Sequence, residues 1–317
     1  MKTFGMRTAI FACLLYAGAA LPCSICRCGD QSFFLNNAQK LDAGRLLFAV
    51  EHFNTRKNSV HLHNTHEDDS GHGLAKTGSP QRLQHLIEVP ESHLQNDVQL
   101  SLKYGLSSRV MLMATAPYTF NRISTAEGAQ TANGLGDPEV LAIAQLLQFG
   151  GAWQLHGLAG WRIPLGASDQ NDGAGKRLDQ HLQTGSGAWA GIFGVQLLHA
   201  SGNVQLFFSA SYQANGANDH DFAYGNIFRF NAAAQKGLAS ALDVIAEING
   251  RVADYDDEGG QSDVNSGGTA VYFSPGLRVR LGGAMSLRSQ VQIPVVENLH
   301  GVQNEKVNVR TGLMWEL

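Results

Sequence analysis

Apolar and charged side chains alternate along the stretch SPGLRVRLGGAMSLRSQVQIPV, which covers residues 274–295. Leu277 and Val279 alternate with Arg278 and Arg280, and the alternation resumes after a pair of glycines. Successive side chains of a β-strand point to opposite faces of the sheet, so this period of two predicts two strands, each with an apolar and a charged face. The apolar face belongs either in the core of a soluble sandwich or against the lipid around a membrane barrel.

Alternating segments recur along the chain from about residue 42 to its end, and about twelve can be counted. They cover residues 44–54, 96–104, 109–120, 138–147, 152–163, 186–199, 203–213, 222–234, 240–252, 269–281, 284–295 and 305–317. Many are close to the length of about 9–11 residues with which a tilted strand crosses a membrane. In WQLHGLAGWRI, for example, Trp161 shares one face with other apolar residues, whereas His156 and Arg162 share the opposite face.

The connections between these segments alternate in length. The short connections are residues 105–108, 148–152, 201–203, 236–240 and 282–283. The long connections are residues 55–95, 121–137, 164–185, 214–221, 253–268 and 296–304. A soluble sandwich has no physical reason to sort its loops in this way, whereas an outer-membrane barrel has tight periplasmic turns and long extracellular loops.

Ionisable residues are frequent on the polar faces of these segments. They are Lys103, Arg162, Asp243, Glu247, Arg251, Arg278, Arg280, Arg288, Arg310 and Glu316. Burying so many charges in the dry core of a sandwich would cost several kcal/mol for each ion, whereas a watered lumen can hold them in cross-strand pairs. We therefore predict an all-β fold, a closed antiparallel up-and-down transmembrane β-barrel of about twelve strands.

Aromatic residues support a membrane position. Candidates for girdles at the two membrane interfaces are Trp153, Trp161, Trp189, Tyr104, Tyr118, Tyr212 and Trp315, although ordinary packing is the alternative interpretation. The final segment VNVRTGLMWEL resembles the last strand of outer-membrane barrels, but it ends on Leu317 and has its aromatic residue two positions earlier.

The N-terminus predicts export. Lys2 and Arg7 precede the apolar run AIFACLLYA, and small residues follow it, as in a secretory signal peptide of residues 1–20. Lipoprotein processing at Cys23 is the rival interpretation. We expect a signal peptide, a Cys-containing periplasmic or plug segment at 21–41 and a barrel at 42–317, in the bacterial outer membrane. The net charge of −4 argues against nucleic acid as a partner.

Seven short stretches resemble a known family in order along the chain. They are APYTF (116–120), GLGDPEV (134–140), IPLG (163–166), TGSGAW (184–189), EINGR (247–251), YFSPGLRVRL (272–281) and VQIPV (291–295). Together they resemble the bacterial outer-membrane transporter family described as "putative MetA-pathway of phenol degradation". The resemblance implies an outer-membrane channel for small hydrophobic or aromatic compounds, and it brings no catalytic residues.

Three cysteines, Cys23, Cys26 and Cys28, remain after the predicted cleavage, in the sequence CSICRC. Thiolates at this spacing could hold a soft metal ion such as Cu(I) or Zn(II). Arg27 stands where a haem-attachment motif requires histidine. A small disulfide loop with one further thiol is the alternative, because an exported protein meets oxidising conditions.

A second candidate metal site lies in the first long connection, HLHNTHEDDSGH. Imidazoles and carboxylates together suit Zn, Cu or Ni. The histidines are His61, His63, His66 and His72. A solvated polar loop is the alternative, because nothing fixes ligand geometry in so long a connection.

Two other polar stretches match no functional motif. The acidic stretch 253–263 lacks the spacing of an EF-hand, and 166–176 lacks the Gly-Lys-Ser/Thr order of a phosphate loop. No nucleophile-elbow pattern is found, so we expect neither an enzyme nor a required cofactor.

The sequence thus predicts an outer-membrane channel or transporter whose polar residues line a path for a small solute. The path candidates are Lys103, His156, Arg162, Glu247, Arg251, Arg278, Arg280, Arg288 and Arg310. The arginine-rich strands near residue 280 would favour anions. Expected partners are outer-membrane lipid, lipopolysaccharide, the solute and the barrel-assembly machinery. A metal-binding outer-membrane protein, or less favourably an outer-membrane enzyme, is the alternative.

Overall fold

The computed structural model describes residues 42–64, 86–125, 128–301 and 303–317. The predicted signal peptide and the segment 21–41 lie outside this part of the chain. So do Cys23, Cys26, Cys28, His66 and His72, together with the side chains of His61 and His63. The described residues form β-strands joined by turns and loops, and none of their segments is a helix of the length and hydrophobicity needed to cross a membrane.

The strands are numbered in chain order. They are β1 (Leu46–Asn64), β2 (Leu86–Gly105), β3 (Val110–Thr125), β4 (Gly128–Leu135), β5 (Glu139–Phe149), β6 (Trp153–Arg162), β7 (Ala190–Ser201), β8 (Val204–Asn215), β9 (Phe222–Ala223), β10 (Ile227–Ala239), β11 (Leu242–Ala253), β12 (Asp257–Glu258), β13 (Gln261–Ser262), β14 (Gly268–Gly282), β15 (Met285–Leu299), β16 (Asn304–Glu305) and β17 (Asn308–Glu316).

A closed barrel is formed by the long strands of the described ranges. Its strands pair in the order β1, β2, β3, β5, β6, β7, β8, β10, β11, β14, β15 and β17. Each pair is antiparallel, and the barrel closes where β1 pairs with β17, from Leu47 opposite Glu316 to Asn54 opposite Val309. The predicted twelve-stranded up-and-down barrel is therefore confirmed. Closure leaves no open sheet edge in the lipid, where an unpaired backbone group is costly.

The connections keep the predicted alternation of short and long. Gly202 and Gly283 each have a φ of +57° in short turns at one end of the barrel, a conformation that favours glycine. The short turns mark the periplasmic end by the usual orientation of such barrels, and the long loops mark the extracellular end.

Two of the predicted long loops are wrong in part. Residues 55–95 contain the ends of β1 and β2, which stay paired in register from Leu46 opposite Tyr104 to Asn64 opposite Leu86. Residues 121–137 contain the end of β3 and the strand β4, which form a hairpin. The prediction stopped each strand where apolar alternation ended, but backbone pairing beyond the membrane needs no apolar face.

The outer surface carries the apolar face of the alternation. Leu277 is 48% exposed, as expected for a side chain that meets lipid, whereas Arg288 on the adjacent β15 is buried inside the barrel. Aromatic side chains occupy both ends of this outer surface. Trp161 and Trp189 meet edge to face at the extracellular end, with ring centroids 6.4 Å apart, and Trp315 lies near the periplasmic end. Such apolar bands flanked by aromatic residues are typical of outer-membrane barrels.

Candidate functional site in the barrel interior

An apolar layer crosses the interior of the barrel. It consists of the inward side chains of Leu47, Ala49, Met111, Met113, Leu141, Ile143, Leu158, Ile192, Phe207, Ala233 and Met314, with Leu198 packed against them. Some of these positions, such as Leu47, Met111 and Met314, lie close to the short-turn ends of their strands, whereas Leu141 and Ile192 lie closer to the opposite ends. The sequence analysis did not foresee this layer, because it assigned only polar residues to the lumen.

The layer forms where strands are apolar on both faces. On β3, Met111 is 3% exposed inside the barrel, whereas its neighbour Leu112 is 40% exposed on the outside. On β5, Leu141 is buried and Val140 faces outward. Unbroken runs such as VMLMA and VLAIA signal burial on both faces. This signal in the sequence could have revealed the layer.

A polar network lies directly beyond the layer, centred on Glu247. The Glu247 carboxylate lies 3.7 Å from the Arg288 guanidinium and accepts a hydrogen bond of 2.7 Å from the Gln290 amide. The amide of Asn231 also donates to it. All four side chains are buried, so the network satisfies charges that would otherwise be costly to bury.

Six of the nine predicted path residues are buried in the barrel wall. They are Lys103, His156, Arg162, Glu247, Arg288 and Arg310. Arg162 donates a hydrogen bond of 2.8 Å to Asn215 on the extracellular half of the barrel. The Arg310 guanidinium lies 5.3 Å from the centre of the Phe53 ring.

The other three predicted path residues lie nearer to the barrel ends. Arg251 donates to the Glu305 carboxylate at 2.6 Å towards the extracellular side. Arg278 is half-buried at the periplasmic end. The Arg280 side chain is 42% exposed there and is paired with Asp243. Arg280 therefore lies at the periplasmic mouth rather than deep in the path.

A polar cavity of about 70 Å³ lies on the extracellular side of the apolar layer. Its lining residues come from β2, β3, β5 and β6 and from neighbouring loops. They are Gln95, Asp97, Gln99, Thr115, Pro117, Thr119, Gly136, Asp137, Glu139, Arg162 and Thr184. Thr115 is the next inward position after Met113 on the same strand, so this wall changes from apolar to polar within one step of the alternation.

The cavity is covered by the connection between β6 and β7, residues 163–189, here called the inner loop. Residues 180–186 of the inner loop are buried. The amide of Asn121 on β3 donates to the carbonyls of Leu182 (3.1 Å) and Gln183 (3.2 Å). The predicted long connection at residues 164–185 is therefore present, and it folds inward, where amide side chains satisfy its backbone.

Asp137 fastens both ends of the inner loop. One of its carboxylate oxygens accepts a hydrogen bond from the Gly166 amide at 3.0 Å. The other accepts from the Ser186 amide at 2.7 Å and the Ser186 hydroxyl at 2.6 Å. The two ends also touch directly, because a Cβ on Gly185 would lie 2.0 Å from the Gly166 carbonyl oxygen.

His181 fastens the inner loop to the connection that follows β11. Its Nδ1 lies 2.9 Å from Asp179 and its Nε2 lies 3.1 Å from Asp256. Burial by itself lowers the pKa of the imidazole, but Asp179 and Asp256 raise it, and the balance leaves the His181 pKa well above its ordinary value. The hydroxyl of Tyr224 donates to the Gln180 carbonyl at 3.0 Å and reinforces the attachment. The sequence analysis did not single out His181.

Metal ligation is not supported by the part of the chain that the structure describes, where no three His, Cys, Asp or Glu side chains are grouped to hold an ion. The predicted cysteine and histidine ligands fall outside that part, so their role stays a prediction.

The sequence matches the family described as "Putative MetA-pathway of phenol degradation" over residues 91–297. Among solved structures, the chain resembles an outer membrane channel from Pseudomonas putida F1, with a TM-score of 0.63 and 12% identity over 87% of this chain and 97% of that chain. This likeness shows the fold.

Two further structures are less similar. The β domain of the Bordetella autotransporter Brka gives a TM-score of 0.48 at 10% identity, over 87% of this chain and 100% of that chain. The Ralstonia pickettii toluene transporter TbuX gives 0.44 at 8% identity, over 87% and 90% respectively. A comparison with curated proteins finds no match.

Proposed function

Because the chain belongs to the family described as "Putative MetA-pathway of phenol degradation", we propose that this outer-membrane channel conducts small aromatic or other hydrophobic solutes. The solute passes through the barrel interior, from the polar cavity below the inner loop to the apolar layer and the periplasm. As a channel, it releases the solute chemically unchanged.

The apolar layer is the observation that carries this proposal. A sugar that crosses the layer must give up hydration without gaining hydrogen bonds from the apolar side chains, which is unfavourable. An aromatic ring loses little hydration and gains contacts with the layer. The layer therefore favours hydrophobic solutes over hydrophilic ones.

Three methionines, Met111, Met113 and Met314, make the layer adaptable. A methionine side chain is flexible and can re-pack around a passing solute, and its sulfur makes favourable contacts with aromatic rings of about 0.3–1.5 kcal/mol. Aromatic solutes are thus better suited to this layer than aliphatic ones of the same size.

Polar groups on the extracellular side of the layer support a role in orienting the solute. Arg162 and Thr115 line the cavity, and the network around Glu247 lies elsewhere in the barrel interior. A few polar groups beside an apolar surface are typical of sites for small molecules.

Lipopolysaccharide and the assembly machinery remain predicted partners.

Uptake by intact Gram-negative cells tests the proposal, because lipopolysaccharide slows the direct entry of hydrophobic compounds. Cells that express the chain should take up labelled phenol faster than cells without it, with little change for glycerol, a polar solute of similar mass. Equal acceleration of both solutes would point to a general pore, and acceleration of neither would refute the proposal.

A paired substitution locates the effect in the layer. Met113→Asn places an amide among the apolar side chains and should reduce the uptake of phenol relative to glycerol. Met285→Asn is the matched control, because Met285 lies near the same end of the barrel on the outer face of β15. Equal effects of the two variants would show that the layer does not select the solute.

A further inference from the structure

Lys103 is a buried cation at the level of the apolar layer. It lies on β2, opposite Leu47 of β1 and Met113 of β3, which both belong to the layer. Its side chain is fully buried, and its Nζ has no hydrogen-bond partner among the described residues. An ammonium in this position is strongly unfavourable for folding unless something else compensates its charge.

Other buried cations of the barrel have partners within the protein. The Lys57 ammonium lies 2.9 Å from Glu305, and the Arg288 guanidinium lies 3.7 Å from Glu247. Lys103 differs from them even though an acidic residue is present on the neighbouring strand.

That acidic residue is Glu51, which is opposite Gln99 in the register of β1 and β2. The Glu51 carboxylate accepts a hydrogen bond of 3.3 Å from Ser101 and forms no ion pair with Lys103. The protein thus keeps a charged donor with three N–H groups at the level of its apolar layer. An ionisable group held within a membrane-spanning region is by default a candidate binding site.

We propose that Lys103 binds the anionic head of a small amphipathic aromatic solute, such as a carboxylate, while the ring of the solute packs against the apolar layer. This inference rests on the proposed function and narrows its solute class to aromatic acids. The lysine stem is flexible, and Gln99, two inward positions from Lys103 on the same strand, lines the polar cavity. A solute that leaves the cavity along the inner face of β2 therefore reaches Lys103.

The chemistry of both parts of the site supports an aromatic acid. An ammonium at an apolar wall attracts a carboxylate strongly, because little water screens the charge. The adjacent methionines offer favourable contacts to an aromatic ring. A small inorganic anion would pair with Lys103 but would make no apolar contacts with the layer. A neutral hydrocarbon would pack against the layer but would leave the Lys103 charge unpaired.

Binding of two matched probes tests the inference. The full chain is placed in lipid nanodiscs, and 4-fluorobenzoate or the neutral 4-fluorobenzamide is titrated by fluorine NMR, with empty nanodiscs subtracted. Wild type should bind both probes and prefer the benzoate. Lys103→Met keeps the length of the side chain without its charge, and it should weaken benzoate binding by about tenfold or more, the usual range for a hydrogen bond to a charged group, while benzamide binding stays within twofold.

Two further variants control for folding and for overall charge. Lys103→Arg keeps the cation and should retain the preference for benzoate. Lys236→Met removes a positive charge from an exposed site near the same end of the barrel and should change neither affinity. If both probes bind to wild type and Lys103→Met weakens the binding of both equally, or of neither, the proposed role of Lys103 is refuted, whereas the proposed function stands. If neither probe binds to wild type, both are wrong.

Discussion

Asp137 and Ser186 are 49 positions apart in the sequence, yet one carboxylate oxygen of Asp137 accepts hydrogen bonds from both the amide and the hydroxyl of Ser186. Both residues are buried, and the same carboxylate holds Gly166 at the other end of the inner loop. This arrangement keeps the inner loop folded over the polar cavity. The inner loop is therefore expected to determine how wide the extracellular entrance is.

Replacement of Asp137 by asparagine should loosen the inner loop. The amide nitrogen of asparagine cannot accept from the Ser186 amide, so a buried donor loses its partner at a cost of about 1–3 kcal/mol. We expect a lower unfolding temperature and a larger single-channel conductance in planar bilayers. Asp169→Asn, at an exposed position of the same loop, is the control. Unchanged conductance in the Asp137 variant would show that this carboxylate does not hold the entrance.

Replacement of Gly185 by alanine should displace the same loop by steric conflict. The added Cβ would lie 2.0 Å from the carbonyl oxygen of Gly166, and overpacking of this kind costs about 1–3 kcal/mol. Hydrogen exchange of residues 178–188 should accelerate. Gly173→Ala is the control, because a Cβ there meets nothing within 4 Å. Equal exchange rates in the two variants would contradict the close contact of the loop ends.

The attachment of the inner loop should weaken at alkaline pH. The folded-state pKa of His181 is raised, because Asp179 and Asp256 outweigh the effect of burial, and Tyr224 also faces the ring. The resulting stabilisation is fully present below the unfolded-state pKa of about 6.5 and is lost as the pH rises through the raised folded-state pKa.

The same hydrogen-exchange measurement can follow this titration. Protection of residues 178–188 should fall in wild type as the pH rises above neutrality, after correction for intrinsic exchange. His181→Gln should remove the transition, whereas His220→Gln, at an exposed position of a neighbouring loop, should keep it. A transition that survives in the His181 variant must come from another group.

Arg280 should influence ion selectivity at the periplasmic mouth. It pairs with the buried Asp243, and Arg278, which donates to Ser286 at 3.2 Å, lies nearby. Replacing both arginines by alanine leaves the Asp243 charge uncompensated, so the small ionic conductance should shift from anions towards cations. Reversal potentials in a salt gradient measure this shift. An unchanged reversal potential would mean that neither arginine acts on the permeating ions.

The barrel could be predicted from the sequence because its causes are local. Lipid on one side and polar side chains on the other impose a period of two, as Leu277 and Arg278 show, and the two ends of the barrel impose connections of different length. Neither feature requires knowledge of which distant residues meet. The end of each strand was less predictable, since β1 and β2 continue as a paired ribbon without an apolar face.

The interior could be predicted only in part. Inward positions such as Arg288 and Glu247 follow from alternation, but their pairing depends on the register of separate strands. The inner loop consists of polar residues such as Gln180 and Gln183, which have the composition of a solvated loop. Its folding inward depends on contacts with Asp137 and Asn121 from elsewhere in the chain. The apolar runs that contain Met111 and Leu141 indicate burial on both faces of their strands. The sequence analysis missed this because it considered only segments in which apolar and polar residues alternate.

The central claim is that aromatic solutes occupy the barrel interior at the apolar layer. Crystals of the protein soaked with 4-bromophenol test it most directly, because the anomalous scattering of bromine marks the position of the ring. The account predicts a bromine site inside the barrel in contact with Met113 or Leu141. Bromine sites confined to the outer, lipid-facing surface would contradict it.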